Sequence, residues 1–158
     1  MNQKNYQFDK NQEKKETKET LTDFAKLIKY SQFNDEKVMA LSEKLGESLN
    51  SSRNGEGRSD TSTQIRKFYN LVKVAQNRVQ NSENPQEVKI KLYTLRAQVA
   101  YAAARKTISP DFKEFFDTCL TKLLADTNLK KSINDFATFF EAFYAYFYFY
   151  NEQNKRRS

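Results

Sequence analysis

The sequence predicts an all-α protein, folded as a compact bundle of about five helices with a mobile N-terminal tail. Apolar side chains recur mainly at the three- and four-residue spacing of an amphipathic helix. Only three glycines and two prolines interrupt the 158 residues, which leaves few positions for tight turns between strands. A chain of this length can bury one core, so we expect a single domain.

The N-terminal segment is expected to be a flexible tail over residues 1–19. It is polar and mixed in charge, with only Tyr6 and Phe8 as apolar anchors. Two rings bury too little area to offset the entropy lost on ordering the backbone. The helical domain is then expected to span residues 20–151, with a basic C-terminal tail over residues 152–158.

Two helices are predicted before the first glycine-rich stretch. A short docked helix begins at Thr20, with apolar residues at Leu21, Phe24, Ala25 and Ile28. A second helix begins at Asn34, whose side chain can cap it. Asp35 and Glu36 then lie in the first turn, where the positive end of the helix dipole stabilises negative charge. Its buried stripe contains Val38, Leu41, Leu45 and Leu49.

Residues 50–60 contain no apolar side chain and carry two glycines, so they are expected to form a flexible surface loop. A plain connector is the simplest interpretation. Arg53 and Arg58 on such a loop could also fold over a bound phosphate chain.

The next predicted helix spans Thr61 to Gln80. Its core-facing residues fall within a single arc of about 80°: they are Ile65, Phe68, Val72, Ala75 and Val79. The opposite side carries two cations and two amides in one row, which are Arg66, Asn70, Lys73 and Asn77, with Lys67 and Arg78 on the flank. No acidic residue occurs between Asp60 and Glu83, although a merely soluble helix usually intersperses Glu among its cations.

A helix from Pro85 to about Lys106, capped by Asn84, is predicted to be the central element of the bundle. It has two apolar stripes on opposite sides, which suggests that both sides of the helix are buried. The first contains Val88, Leu92, Leu95, Val99, Ala102 and Ala103, and the second contains Ile90, Tyr93, Ala97, Ala100, Tyr101 and Ala104. Its charged side chains, Arg96 among them, lie between the stripes, where long stems can reach the surface.

Two aromatic helices complete the prediction. One begins at Ser109 and Pro110, a capping hydroxyl followed by proline at the first helical position. The last spans about Ser132 to Asn151 and has a core stripe of Phe136, Phe140, Phe143, Phe147 and Tyr150. Tyr148 and Phe149 point elsewhere, which indicates a second contact with the fold or with another chain. The apolar part of this helix is shorter than the roughly 20 residues of a bilayer span.

Composition narrows the chemistry. The chain has no histidine and one cysteine, so it cannot build imidazole catalysis, a histidine-containing metal site or a thiolate zinc site. No arrangement of carboxylates, Lys, Tyr or Ser calls for an enzyme, so we expect no catalytic residues, no cofactor and no metal. Cys119 is expected to be a buried, inert thiol. No signal-like segment is evident, and a cytoplasmic protein is expected.

Residues 61–106 carry a net charge equal to the whole protein's +7, and the remaining segments sum to zero. A basic middle third between near-neutral flanks is typical of a surface that binds phosphates. A solvated basic face with no ligand is the alternative, because clustering in sequence need not mean clustering in space.

Three stretches together resemble the small helical subunit of type III-A CRISPR effector complexes, the small subunit of the Csm complex. They are residues 63–69 (TQIRKFY), 99–105 (VAYAAAR) and 139–146 (FFEAFYAY), and their order and separation fit that family. The resemblance covers Thr61 to Tyr150. Ala104 stands where glycine is commoner in the family, and the N-terminal 30 residues have no matching motif.

The resemblance implies a non-catalytic subunit that stacks in several copies along the guide RNA and target RNA and contacts other subunits of the effector complex. Whether the isolated protein is a homodimer stays open. Arg66 and Lys67 match the first stretch of the family, and Arg105 matches the second. The helical-face argument alone adds Asn70, Lys73, Arg78 and Arg96, and Arg58 and Lys106 complete the expected RNA-binding residues.

Two other functions stay open at this point. A helical protein-interaction adaptor would use the aromatic last helix as its main surface and leave the basic row solvated. A ribonuclease would need Lys, Arg and Tyr to do the chemistry, without a convergent acid and base pair.

Overall fold

The computed structural model describes residues 3–52, 62–81 and 84–157, and within these ranges the chain forms six helices and no strand. The helices are α1 (Gln3–Tyr30), α2 (Glu36–Ser52), α3 (Ser62–Gln80), α4 (Pro85–Ala104), α5 (Pro110–Ala125) and α6 (Leu129–Arg157). The all-α prediction is confirmed, and the number of helices is six rather than about five. None of the described helices is long and apolar enough to cross a bilayer.

Helix α1 is much longer than expected. It begins at Gln3, where the sequence indicated an unstructured tail, and its first buried side chains are Thr17 and Thr20. Both hydroxyls donate to the carbonyl four residues earlier, and the Thr17 hydroxyl also lies 3.3 Å from the carbonyl oxygen of Ser48 on α2. The flexibility of the first 19 residues stays a prediction. Helix α6 is also longer than expected, since it continues through Arg157.

Helix starts follow the local sequence. Asn84 caps α4 by accepting a hydrogen bond from the Gln86 amide at 3.0 Å, and Ser109 caps α5 by accepting one from the Phe112 amide at 3.0 Å. The cap of helix α2 lies one residue later than expected, because Asp35 rather than Asn34 accepts the hydrogen bond from the Lys37 amide.

The centre of the core is a cluster of phenylalanine rings, most of them on α5 and α6. The rings of Phe24, Phe115 and Phe139 contact one another, and Phe143 lies 4.7 Å from Phe115 between ring centroids. Helix α6 packs against α2, α3 and α5 and is the central element. Its predicted core stripe is confirmed at four positions, but Tyr150 is half-buried and donates its hydroxyl to Glu43 at 3.1 Å. Cys119 is fully buried, and burial raises the pKa of its thiol well above 9.0.

The prediction that α4 is buried on both sides is wrong. Its first stripe is buried, from Val88 to Ala102, against α3 and α5. The second stripe faces outward: Ile90, Tyr93 and Tyr101 are 57%, 58% and 63% exposed. Helix α4 therefore lies at the edge of the bundle.

Gly46 marks the closest approach of α2 and α6. A Cβ atom at this position would lie 2.8 Å from the backbone nitrogen of Phe147 and 2.8 Å from the Cβ of Tyr146. Both atoms belong to the main chain or sit directly on it, so neither can move aside without shifting a helix.

Overpacking costs about 1–3 kcal/mol, and contacts of 2.8 Å with a backbone nitrogen and a Cβ put Gly46→Ala in the upper part of that range. Alanine favours an isolated helix over glycine by roughly 1 kcal/mol, so we expect the free energy of unfolding to fall by a net amount of about 1–2 kcal/mol. Urea unfolding followed by circular dichroism measures it. Lys44→Ala, an exposed change on the same helix, should stay within about 0.5 kcal/mol of the parent. Equal or higher stability of Gly46→Ala would contradict the overpacking expected at this contact.

Candidate nucleic-acid interface

Helix α3 presents its core stripe inward as predicted, with Ile65, Phe68, Val72, Ala75 and Val79 all buried. We call the opposite row, Arg66, Asn70, Lys73 and Asn77, the basic ridge. Arg66, Asn70 and Asn77 are exposed and Lys73 is half-buried. Lys67 is exposed on the flank of the ridge. The structure thus brings these side chains onto one outer surface.

In the part of the chain that the structure describes, no acidic side chain neutralises the cations of the ridge or of its flank. Among the described residues, no carboxylate lies within ion-pair distance of Arg66, Lys67 or Lys73. A few cations elsewhere are paired, as Lys18 is with Asp111 at 3.0 Å. A row of unpaired cations with interspersed amides can bind phosphate oxygens and ribose hydroxyls.

Helix α6 supports α3 from one side and runs antiparallel to it. The ring of Tyr69 stacks on Tyr144 with a centroid distance of 5.7 Å and an interplanar angle of 9°. Further along, the Gln76 side chain donates to Asn134 at 2.7 Å. Burial raises the pKa of Tyr69, and the nearby Glu141 carboxylate raises it further. This side of α3 is therefore the acidic, tyrosine-rich side.

Helix α4 supports α3 from the other side, and a groove of about 230 Å³ separates their outer edges. Its floor is apolar, and Arg78 of α3 and Lys91 of α4 both line it. The groove is lined by residues 71–78 of α3 and 91–98 of α4. The two helices pack against each other and are joined by a short connection, which is typical of antiparallel neighbours. The two helices are therefore antiparallel.

The C-terminal end of α4 carries Arg105 and Lys106, both exposed. Lys106 has a left-handed backbone conformation with φ of 60°. Its amide donates to the Ala103 carbonyl at 3.0 Å, and the Thr107 amide donates to the Ala102 carbonyl at 3.0 Å. This is a Schellman cap, which usually has glycine at that position. Since α3 and α4 are antiparallel, this cap lies at the end of the bundle where α3 begins.

Arg96 has a different environment from the other predicted site residues. It is half-buried, and its guanidinium donates to the Asp117 carbonyl at 3.0 Å and to the Thr121 hydroxyl on α5. Its Nε lies 3.5 Å from the Asp117 carboxylate, which Lys113 also contacts. Arg96 therefore joins α4 to α5 on the side away from α3. Arg58, also expected at the site, lies outside the described residues.

We expect Arg96→Ala to lower the free energy of unfolding by about 1–2 kcal/mol, because hydrogen bonds from a charged group at a partly exposed site are lost. Its effect on RNA affinity should be smaller than that of Arg66→Ala. Urea unfolding and RNA titration of both variants measure the two effects. Lys89→Ala, on the same helix, controls for the loss of charge. A variant with parental stability and strongly reduced RNA affinity would contradict this role.

Two exposed tyrosines beside these cations were missed as site residues. Tyr93 and Tyr101 were assigned to a buried stripe, and the Arg105 guanidinium lies 5.6 Å from the centroid of the Tyr101 ring. The sequence does contain a signal for this surface, because no acidic residue occurs between Glu87 and Asp111.

Among the described residues, no group of three or more carboxylate or thiol side chains could hold a metal ion.

Comparison with known proteins gives one family. A family model described as Csm2 Type III-A matches residues 32–153, which is well over half of the chain. The match includes α2 to α5 and most of α6, and hence the basic ridge and the C-terminal end of α4. No curated protein matches the chain. No solved structure matches it either.

Proposed function

Since this chain belongs to the Csm2 type III-A family, we propose that it is a non-catalytic, RNA-binding small subunit of a type III-A CRISPR interference complex. Several copies stack along the guide RNA and target RNA and contact other subunits of the complex. Each copy contacts the RNA backbone through the basic ridge and the cations at the end of α4. Pairing between guide and target then supplies the sequence specificity, so this subunit needs no base-specific contacts.

The unneutralised basic ridge is the observation that carries the proposal. Arg66, Lys67 and Lys73 lie on an outer surface without ion pairs among the described residues, and Arg105 and Lys106 lie at the same end of the bundle as Arg66. Phosphate contacts made by such cations release counterions and depend little on sequence. The amides of Asn70 and Asn77 can add hydrogen bonds to phosphate or ribose.

Affinity purification of the full-length protein from its own cells tests the proposal, with mass spectrometry of bound proteins and sequencing of bound nucleic acid. We expect several larger subunits and short RNAs that share a 5′ sequence. Recovery of the chain alone, without RNA, would overturn it. Purified protein should also leave RNA intact with and without Mg²⁺, and cleavage would favour a ribonuclease.

The exposed aromatic side chains of α6 favour a second candidate, a protein-interaction adaptor. Tyr148 and Phe149 lie on the surface of α6, near the acidic residues Glu141 and Glu152 of the same helix. In the affinity purification, an adaptor would be recovered with partner proteins but without RNA. It would also keep its partners when Arg66 and Lys73 are reversed in charge, whereas the RNA-binding subunit would lose its RNA.

A further inference from the structure

Helix α4, which packs against α3, exposes a row of apolar side chains. We call Ile90, Tyr93, Ala97 and Tyr101 the tyrosine stripe. At 100° per residue these positions fall within an arc of about 80° that points away from the core. Tyr93 and Tyr101 are each more than half exposed. A stripe of this kind on an edge helix is available to a ligand.

The charge around the tyrosine stripe is positive. Lys89 and Lys91 precede Tyr93, and the guanidinium of Arg105 donates to the Tyr101 hydroxyl at 3.2 Å. Beyond Glu87 the helix has no acidic residue. The exposed rings of α6, by contrast, share their helix with Glu141 and Glu152 and lie near Glu43, which accepts the Tyr150 hydroxyl. Of these two sets of exposed rings, those of α4 are therefore the better placed to attract a polyanion.

The spacing of the two rings suits a single strand. Tyr93 and Tyr101 are eight residues apart, so their attachment points lie about 12 Å apart along the helix. A stacked strand advances about 3.4 Å per nucleotide, and this distance therefore corresponds to three or four nucleotides. The groove between α3 and α4, lined by Arg78 and Lys91, runs alongside and offers charge for the intervening phosphates.

From these observations we infer that the tyrosine stripe of α4 is a stacking surface for the bases of unpaired RNA. Aromatic side chains beside a positively charged groove bind single strands in this way, because every base has a π-face. The inference rests on the proposed function and adds a ligand to it: the basic ridge holds phosphates of any strand, whereas Tyr93 and Tyr101 bind only nucleotides whose bases are free to stack. A basic surface without acids favours RNA over a typical protein partner of mixed charge.

The test compares a 12-nucleotide oligouridylate with an abasic ribose-phosphate strand of the same length. Both are titrated against the full-length protein and against Tyr93→Ala/Tyr101→Ala. We expect the double variant to bind oligouridylate at least about tenfold more weakly and the abasic strand unchanged. Tyr93→Phe/Tyr101→Phe keeps both rings and should bind oligouridylate like the parent.

Tyr30→Ala/Tyr148→Ala is the matched control, because both rings are exposed on other helices and Tyr30 also has a lysine, Lys29, over its ring. It should bind both strands like the parent. Unchanged oligouridylate binding by Tyr93→Ala/Tyr101→Ala would overturn the inference. An equal loss for both strands would also overturn it, since it would reveal a structural or charge effect.

The same variants separate the inference from the function on which it rests. A parent that binds the abasic strand, and loses it in Arg66→Ala, supports the basic ridge whatever the tyrosines do. A parent that binds neither strand refutes both. If the tyrosine variant keeps its RNA but no longer recovers the larger subunits, the stripe is a protein-docking surface and the stacking inference fails.

Discussion

Phe140→Ala is expected to lower the free energy of unfolding by about 3–5 kcal/mol, the range for a large aromatic removed from a core. The Phe140 ring is fully buried, and its centroid lies 5.3–6.4 Å from those of Tyr69, Phe115, Phe116, Phe136 and Phe143. Rings on three helices would face the cavity, so no single side chain can fill it. Since small domains are stable by about 5–15 kcal/mol, much of the total would be lost.

Phe149→Ala provides the control on the same helix. Phe149 is about half exposed, and its truncation should change the unfolding free energy by no more than about 0.5 kcal/mol. Equilibrium urea unfolding at a constant m-value measures both variants. Similar losses for the two phenylalanines would mean that α6 is not the centre of the core.

Removing four cations at once should have the largest effect on RNA binding. For Arg66, Lys67, Lys73 and Arg105 all changed to Ala, we expect the salt slope of single-strand affinity to fall by roughly 2.8, or about 0.7 for each lost phosphate contact. Near 0.15 M salt this corresponds to a loss of affinity on the order of 10²-fold. Arg66→Ala and Arg105→Ala alone should each weaken binding similarly for unrelated sequences.

A second variant that also loses four cations separates the effect of direct contact from that of net charge. Lys4, Lys14, Lys15 and Lys26 are all exposed on α1, and their change to Ala removes the same charge elsewhere. Titrations at several salt concentrations should leave the slope of this variant close to the parent's. An equal loss in both variants would attribute binding to the overall field of the protein. If the variant of Arg66, Lys67, Lys73 and Arg105 showed an altered sequence preference but an intact salt slope, backbone recognition would be refuted.

The fold could be predicted wherever one apolar stripe faced a polar side. The buried residues of α3 follow from helical spacing alone, and so does the exposure of Arg66 and Asn70 opposite them. The caps Asn84 and Ser109 were evident from local sequence, since each precedes a proline at the first helical position. These features depend on neighbours within one or two turns.

Periodicity could not reveal what covers a second apolar face. In α4 both stripes have helical spacing, but only tertiary packing decides that Val88 is buried and Ile90 exposed. For the same reason Tyr93 and Tyr101 were assigned to the core instead of the surface. The ion pair between Arg96 and Asp117 could not be predicted either, because the two residues meet only when α4 packs on α5. Long-range contacts set these outcomes, and no local pattern encodes them.

Helix α1 consists of two parts with different thermodynamics. From Thr17 onward one face of the helix is buried and packs against α2 and α5, so this part of α1 unfolds only when the bundle does. Residues 3–16 have no buried side chain, and an isolated helix of about this length is only marginally stable in water. Their helix–coil equilibrium is therefore uncoupled from global unfolding. A surface that covered residues 3–16 would shift their helix–coil equilibrium towards helix without changing the core.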